Sequence, residues 1–74
     1  MTFDYSKLQG RIAEKFKSQM EFAMKMQWSK RTLSLKLTGK AVWKQPEICK
    51  ALELLELSEG DILAYFFDRE VQSI

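Results

Sequence analysis

Ten side chains between residues 19 and 44 have the types and spacing needed to contact a nucleic acid. They are Gln19, Ser29, Lys30, Arg31, Thr32, Ser34, Leu35, Thr38, Lys40 and Lys44. The Arg31 guanidinium can form two parallel hydrogen bonds with a guanine, and Leu35 can contact thymine methyl groups. Lys40 and Lys44 suit contacts with phosphates, which position a protein on DNA without selecting a sequence. Together these side chains predict a DNA-reading surface.

The same side chains leave a protein partner open. We expect Leu35 to lie exposed at the centre of an outward helix face, where it would meet either thymine methyls or an apolar patch of another protein. Lys30 and Arg31 stand near a predicted helix start, where cations are electrostatically unfavourable. Their placement therefore indicates an external anion. We favour DNA over a protein partner on this pattern.

Two short helices joined by a tight turn are predicted to carry these residues. Ser18 and Glu21 form the S-x-x-E pattern of a capping box, which predicts a helix start, and Ser29 predicts a second one. Gly39 stands where a glycine should end the second helix. Two helices this close describe a helix-turn-helix, which places its second helix in a DNA major groove.

Helical geometry decides which side chains of the second helix face outward. Leu33 and Leu37 continue one apolar face, which we expect to point into the core. With these two inward, Arg31, Leu35 and Thr38 fall on the opposite face. The start of this helix, residues 29–32, should then reach base edges first.

Two residues depart from the usual helix-turn-helix pattern. Gln27 occupies the turn position that is usually Gly, and we expect it to adopt a positive φ at a cost of about 1 kcal/mol. Lys36 occupies a position where an apolar residue is common. We expect its stem to lie along apolar surface while its ammonium group reaches water.

Three further helices are predicted around this pair. The first is capped by Asp4 or Ser6 and ends near residue 16 or 17, with Leu8, Ile12 and Phe16 as its buried stripe and Ala13 beside it. The fourth begins with Pro46 at its first position. The fifth is capped by Ser58. The chain is therefore predicted to be an all-α, five-helix bundle containing a helix-turn-helix.

Length and composition predict one small domain. The 74 residues, 46% of them hydrophobic, suit a single globular helix-turn-helix domain over residues 1–67, with residues 68–74 as a C-terminal tail. No apolar run approaches the roughly 20 residues that span a bilayer, and the N-terminus lacks a secretory signal. We expect a cytoplasmic protein.

The residue types argue against enzyme and metal chemistry. The chain has no His, and its single cysteine is Cys49, so it can form neither a zinc cluster of Cys and His nor a disulfide within the chain. No pair of Asp, Glu or Lys stands out as a general acid and base. We expect no catalytic residues, no cofactor and no metal, and we expect Cys49 to be a buried or half-buried filler.

The two signs of charge are segregated along the sequence. The net charge is +2, but residues 1–50 hold eleven of the twelve basic residues and four of the ten acidic ones, a net of +7. Residues 51–74 hold one basic and six acidic residues, a net of −5. This distribution predicts a basic surface that faces an anion, with acidic residues elsewhere.

The order of elements and several local motifs resemble known phage regulators. A helix, a helix-turn-helix and two closing helices resemble the lambda-repressor-like domain of phage repressors and Cro proteins. The segments FDYSKLQGRI, EFAMKM, SKRTLSLKL and the YFF near the end resemble a family of small early regulators from temperate phages of Gram-positive bacteria. This family includes Cro-like repressors and antirepressors of the modulator-of-repression type, and the resemblance covers residues 2–67.

The resemblance implies a role in the switch between lysogenic and lytic growth. A Cro-like protein would bind operator DNA, and a homodimer would double the contact with a two-fold site. An antirepressor would bind the cognate phage repressor protein through the same helix-turn-helix surface. Neither reading involves a membrane or a small-molecule substrate.

Overall fold

The computed structural model describes residues 3–67, where every regular element is helical. The helices are α1 (Ser6–Lys15), α2 (Gln19–Lys25), α3 (Lys30–Leu37), α4 (Gln45–Leu54) and α5 (Ile62–Phe66), with a 3-10 turn (Glu59–Asp61) before α5. The predicted five-helix, all-α architecture is thereby confirmed. None of these helices is long and apolar enough to cross a membrane. The predicted tail, residues 68–74, lies outside the described residues.

The core forms where the apolar sides of the five helices meet. Leu8 and Ile12, four residues apart on α1, are fully buried, as their spacing predicts. Trp43 packs edge-on between two other rings, with centroid distances of 5.3 Å to Trp28 and 4.9 Å to Phe66. The two tryptophans therefore serve packing.

Serine side chains set the starts of α2 and α3. The Ser18 hydroxyl accepts a hydrogen bond from the Glu21 N–H at 3.2 Å, and the Ser29 hydroxyl accepts one from the Thr32 N–H at 3.1 Å. Each satisfies one of the backbone donors that a helix start leaves without a partner. Both predicted helix starts are confirmed.

Three helices end at a residue in the left-handed region. Gln27 after α2, Gly39 after α3 and Glu56 after α4 have φ values of 64°, 78° and 54°. After α2, the Trp28 N–H donates to the Ala23 carbonyl at 2.8 Å, which completes a Schellman motif. The predicted positive φ of Gln27 is confirmed. Only one of the three positions is a glycine, which adopts a positive φ without the steric cost of a Cβ.

Helix boundaries differ from the sequence predictions by small amounts. α1 ends at Lys15, because Phe16 is already extended (φ −130°, ψ 149°). α4 begins one residue before Pro46, which takes the second helical position. The Ser58 N–H and hydroxyl both donate to Asp61 Oδ2 at 3.0 Å, and this tight pairing accompanies a 3-10 turn where a helical start was expected.

Two side chains are more exposed than predicted. Ala13 lies on the solvent side of α1, because the helix buries only the narrow stripe of Leu8 and Ile12. Cys49 is also exposed and is not the buried or half-buried filler that was expected. α4 turns Ile48 and Ala51 into the core, which leaves Cys49 on the outer side.

Candidate interaction surface

The packing of α2 against α3 fixes which side chains both helices present outward. α3 makes its most extensive helix contact with α2. Phe22 and Ala23 of α2, and Leu33 and Leu37 of α3, are buried. The inward positions predicted for Leu33 and Leu37 are confirmed, and the exposed sides of both helices are the ones available for contacts.

The ten candidate residues lie on these outward sides and on the loop that follows α3. Eight are exposed: Gln19, Ser29, Lys30, Arg31, Ser34, Thr38, Lys40 and Lys44. The other two, Thr32 and Leu35, are half-buried. We call the outward sides of α2 and α3, together with the loop through Lys44, the basic surface.

Leu35 is half-buried, which corrects the expectation that it stands exposed at the centre of this face. The loop after α3 returns to the helical turn that carries this residue. The N–H groups of Lys40 and Ala41 both donate to the Leu35 carbonyl at 3.0 Å, after the chain has reversed at Gly39. Sequence periodicity gives the direction of a helix face but not the exposure of each residue on it.

Hydroxyl groups on the basic surface are partly engaged in holding α3. The Ser29 and Thr32 hydroxyls are 3.0 Å apart, and the Thr38 hydroxyl donates to the Ser34 carbonyl at 2.9 Å. The proton of Thr38 is therefore committed inside its own helix end. The hydroxyl groups of Ser29, Thr32 and Thr38 therefore stabilise the two ends of α3, in addition to being exposed or half-buried hydrogen-bonding groups of the basic surface.

The cations of the basic surface are free of carboxylate partners within residues 3–67. Ion pairs in that part of the chain join Arg11 to Glu14, Lys15 to Glu56 and Lys36 to Glu47. None of them uses Lys30, Arg31, Lys40 or Lys44. The charges of Lys30, Arg31 and Lys40 are available to an anion supplied from outside, whereas Lys44 also acts on Glu47.

Lys36 is buried, which corrects the expectation that its ammonium group reaches water. Its side chain is only 8% exposed, and Nζ donates to the Val42 carbonyl at 2.6 Å and to Glu47 Oε1 at 2.8 Å. The ammonium group also lies 5.3 Å from the ring centroid of Trp28. The end of α3 and the start of α4 meet here, and the Val42 carbonyl and the Glu47 carboxylate replace the water that would otherwise solvate the Lys36 ammonium group.

Glu47 stabilises both the ion pair and the start of α4. Partial burial raises the pKa of Glu47, but hydrogen bonds from Lys36 and from the Lys44 N–H, with the charges of both lysines, outweigh it and lower the pKa below its ordinary value. The Lys44 N–H donates to the same oxygen, Oε1, at 2.8 Å. The ionised carboxylate therefore joins the end of α3 to the start of α4.

Two methionines on α2 extend the basic surface. Met20 is 51% exposed and Met24 is 69% exposed. Their spacing of four residues places them on one side of α2. Phe22 and Met26, which are buried, lie two positions after Met20 and Met24, on the opposite side of the helix. This offset is visible in the sequence and indicates an outward apolar pair.

Comparisons with known proteins add a family and a structural relative. The DUF739 family, described as protein of unknown function, matches residues 1–69. A solved structure that the chain resembles is the solution structure of the modulator of repression of the temperate bacteriophage TP901-1 from Lactococcus lactis. It shows 50% sequence identity, a TM-score of 0.79 and coverage of 97% of each chain. A search of curated proteins found no match.

Proposed function

The chain belongs to the DUF739 family, and we propose that it regulates the repression switch of a temperate phage by binding a repressor protein through its basic surface. The solved relative at 50% identity over nearly the whole chain is itself a modulator of repression. A protein that modulates repression must bind either the repressor or the DNA that the repressor controls. The composition of the surface favours the repressor.

The exposed pair Met20 and Met24 is the observation that carries this proposal. Exposed methionines are typical of a protein-binding surface, because the flexible thioether side chain fills irregular apolar pockets. Phosphates offer no such pocket. A partner surface with an apolar depression and an acidic rim would match the methionines and the exposed Lys30 and Arg31 of the basic surface.

Operator DNA is the second candidate, and a separate observation favours it. Lys30 and Arg31 project from the first turn of α3 with no carboxylate partner within residues 3–67. In helix-turn-helix proteins the start of the second helix is the part that reads base edges. The sequence pattern alone favoured this reading, and the exposed methionines shift the preference to a protein.

Two double variants separate the candidates in one titration. The protein is titrated against early-promoter DNA of its phage, with and without the cognate repressor, at about 0.15 M salt. Met20→Ser with Met24→Ser should weaken a repressor complex by roughly tenfold or more, since buried apolar anchors dominate protein interfaces. Lys30→Ala with Arg31→Ala should weaken direct DNA binding and reduce its salt slope by about 2.

Leu63→Ser is the matched control, because Leu63 is about as exposed as Met24 but lies on α5. This variant should bind the repressor as the parent does. Tight DNA binding without repressor, unchanged by the methionine substitutions, would replace the proposal with the DNA candidate. Repressor binding that survives both double variants would place the interface elsewhere.

A further inference from the structure

A concave surface lies between α4, the 3-10 turn and α5, and it contains none of the ten residues of the candidate interaction surface. A cavity of about 340 Å³ there is lined by Cys49, Leu52, Glu53, Leu57, Glu59 and Ile62. A neighbouring cavity of about 280 Å³ shares Cys49 and Ile62 and extends to Phe67. We call the two cavities together the acidic groove.

The floor of the acidic groove is apolar and continues onto an exposed edge. Phe67, which lines one of the two cavities, is 43% exposed and forms this edge. Single exposed apolar residues are ordinary, but a concave apolar floor with an apolar edge is typical of an interaction site.

The charged side chains that line the acidic groove are Glu53 and Glu59, with no Lys or Arg among the lining residues. Residues 51–67 contain four acidic residues. Two of the acids are engaged: Glu56 pairs with Lys15 at 2.7 Å, and Asp61 accepts hydrogen bonds from Ser58. The other two, Glu53 and Glu59, line the cavity and have no cation partner within residues 3–67.

We propose that the acidic groove binds a segment of another protein that carries an apolar stripe flanked by Lys or Arg, as a basic amphipathic helix does. The apolar side chains would fill the two cavities, and the flanking cations would pair with Glu53 and Glu59. This is the helix-in-groove mode of recognition with charge complementarity added. The proposal is independent of the function assigned to the basic surface.

Charge also argues against the other occupants of the groove. Nucleic acid and anionic lipid would be repelled by Glu53 and Glu59. A second copy docked through the same groove about a two-fold axis would bring the two acidic rims together, because such an interface uses the same patch twice. A cationic segment is the occupant that the groove complements.

The native thiol of Cys49 gives a direct readout, because it is the only cysteine of the chain, is exposed and lines both cavities. Its rate of labelling by a maleimide is measured with two synthetic helical peptides of about 15 residues. Both peptides carry the same leucine stripe, one flanked by Lys and the other by Glu. The Lys peptide should slow labelling in a saturable manner, and the Glu peptide should not.

Neutralising the rim tests the role of the two carboxylates. Glu53→Gln with Glu59→Gln should weaken binding of the Lys peptide by roughly fivefold, the effect of two exposed ion pairs. Glu14→Gln with Glu21→Gln is the matched control, with the same change in net charge on exposed positions of α1 and α2. The control should leave the affinity unchanged.

Four results would overturn the proposal. They are no slowing by the Lys peptide, equal slowing by both peptides, equal weakening in the control variant, and labelling that slows with protein concentration alone, which would assign the groove to a second copy. Lys30→Ala with Arg31→Ala should not affect the protection of Cys49. This separates failure at the groove from failure at the basic surface.

Discussion

At the residue scale, the pair of Lys36 and Glu47 connects α3 to the start of α4. An ammonium group that is only 8% exposed needs acceptors, and it has the Val42 carbonyl and the Glu47 carboxylate. Because both acceptors follow α3 in the chain, the pair joins α3 to the start of α4. The orientation of α3 therefore depends on the ion pair of Lys36, a residue whose ammonium group the apolar pattern of the sequence would have placed in solvent.

Removing one partner of this pair should destabilise the fold. Lys36→Met is expected to lower the free energy of unfolding by about 3 kcal/mol, because Glu47 loses the cation that compensates its partial burial. The measurement is urea denaturation of the variant. The double variant Lys36→Met with Glu47→Gln should recover part of the loss, and strictly additive losses would show that the pair is not coupled.

The same pair predicts how stability depends on pH. The pKa of Glu47 is lowered in the folded protein despite partial burial, chiefly through its hydrogen bond from Lys36. The unfolded chain therefore binds the proton more readily, and this contribution to stability is present above the ordinary pKa of 4.5 and is lost as pH falls through the folded pKa. Glu47→Gln should show a shallower loss of stability between neutral pH and acid than the parent, and an equal slope would contradict the assignment.

At the element scale, helix ends determine where the basic surface stands. α2 and α3 are short, and each is bounded by a serine cap and a left-handed residue. The turn between the two helices depends on Gln27 with φ 64°. Such a conformation costs a residue with a Cβ roughly 1 kcal/mol relative to glycine.

The two helix ends make opposite predictions. Gln27→Gly should raise the free energy of unfolding by up to about 1 kcal/mol, because it removes this strain. Gly39→Ala should lower it by about 1 kcal/mol, although a Cβ at Gly39 meets no atom within 4 Å, because φ is 78° there. Thermal denaturation of the two variants checks both signs. Two shifts in the same direction would show that the left-handed conformation does not decide stability.

At the scale of the whole molecule, the segregation of charge along the sequence maps only partly onto surfaces. Arg11 and Lys15 belong to the basic half of the chain but are engaged at the end of α4. Arg11 Nε donates to the Leu55 carbonyl at 3.0 Å, and Lys15 pairs with Glu56. These contacts place cations at a helix C-terminus, where the helix dipole favours them, and they join α1 to α4.

The charges that remain free describe a molecule with two distinct surfaces. Because the basic surface and the acidic groove share no residue, their binding energies should be additive. Glu53→Gln with Glu59→Gln should leave the affinity at the basic surface unchanged, as measured in the repressor titration. A loss there as large as the loss of peptide binding would show that the groove and the basic surface act as one interface.

The sequence by itself determined the local structure. Cap residues and apolar periodicity act within a few positions of the chain, so Ser18, Ser29, Leu33 and Leu37 were sufficient to predict the two helices and their inward faces. The positive φ of Gln27 followed from the same local logic. The family resemblance was also carried by short motifs, and the 50% identity to a solved relative bears it out.

Tertiary structure decided what each exposed side of a helix meets. Contacts beyond their own helices buried the ammonium group of Lys36 and directed Arg11 to the end of α4. The same packing left Met20, Met24 and Cys49 outward. Periodicity gives the direction of a side chain from its own helix, and only the assembled helices determine whether water, a backbone carbonyl or another helix stands in that direction.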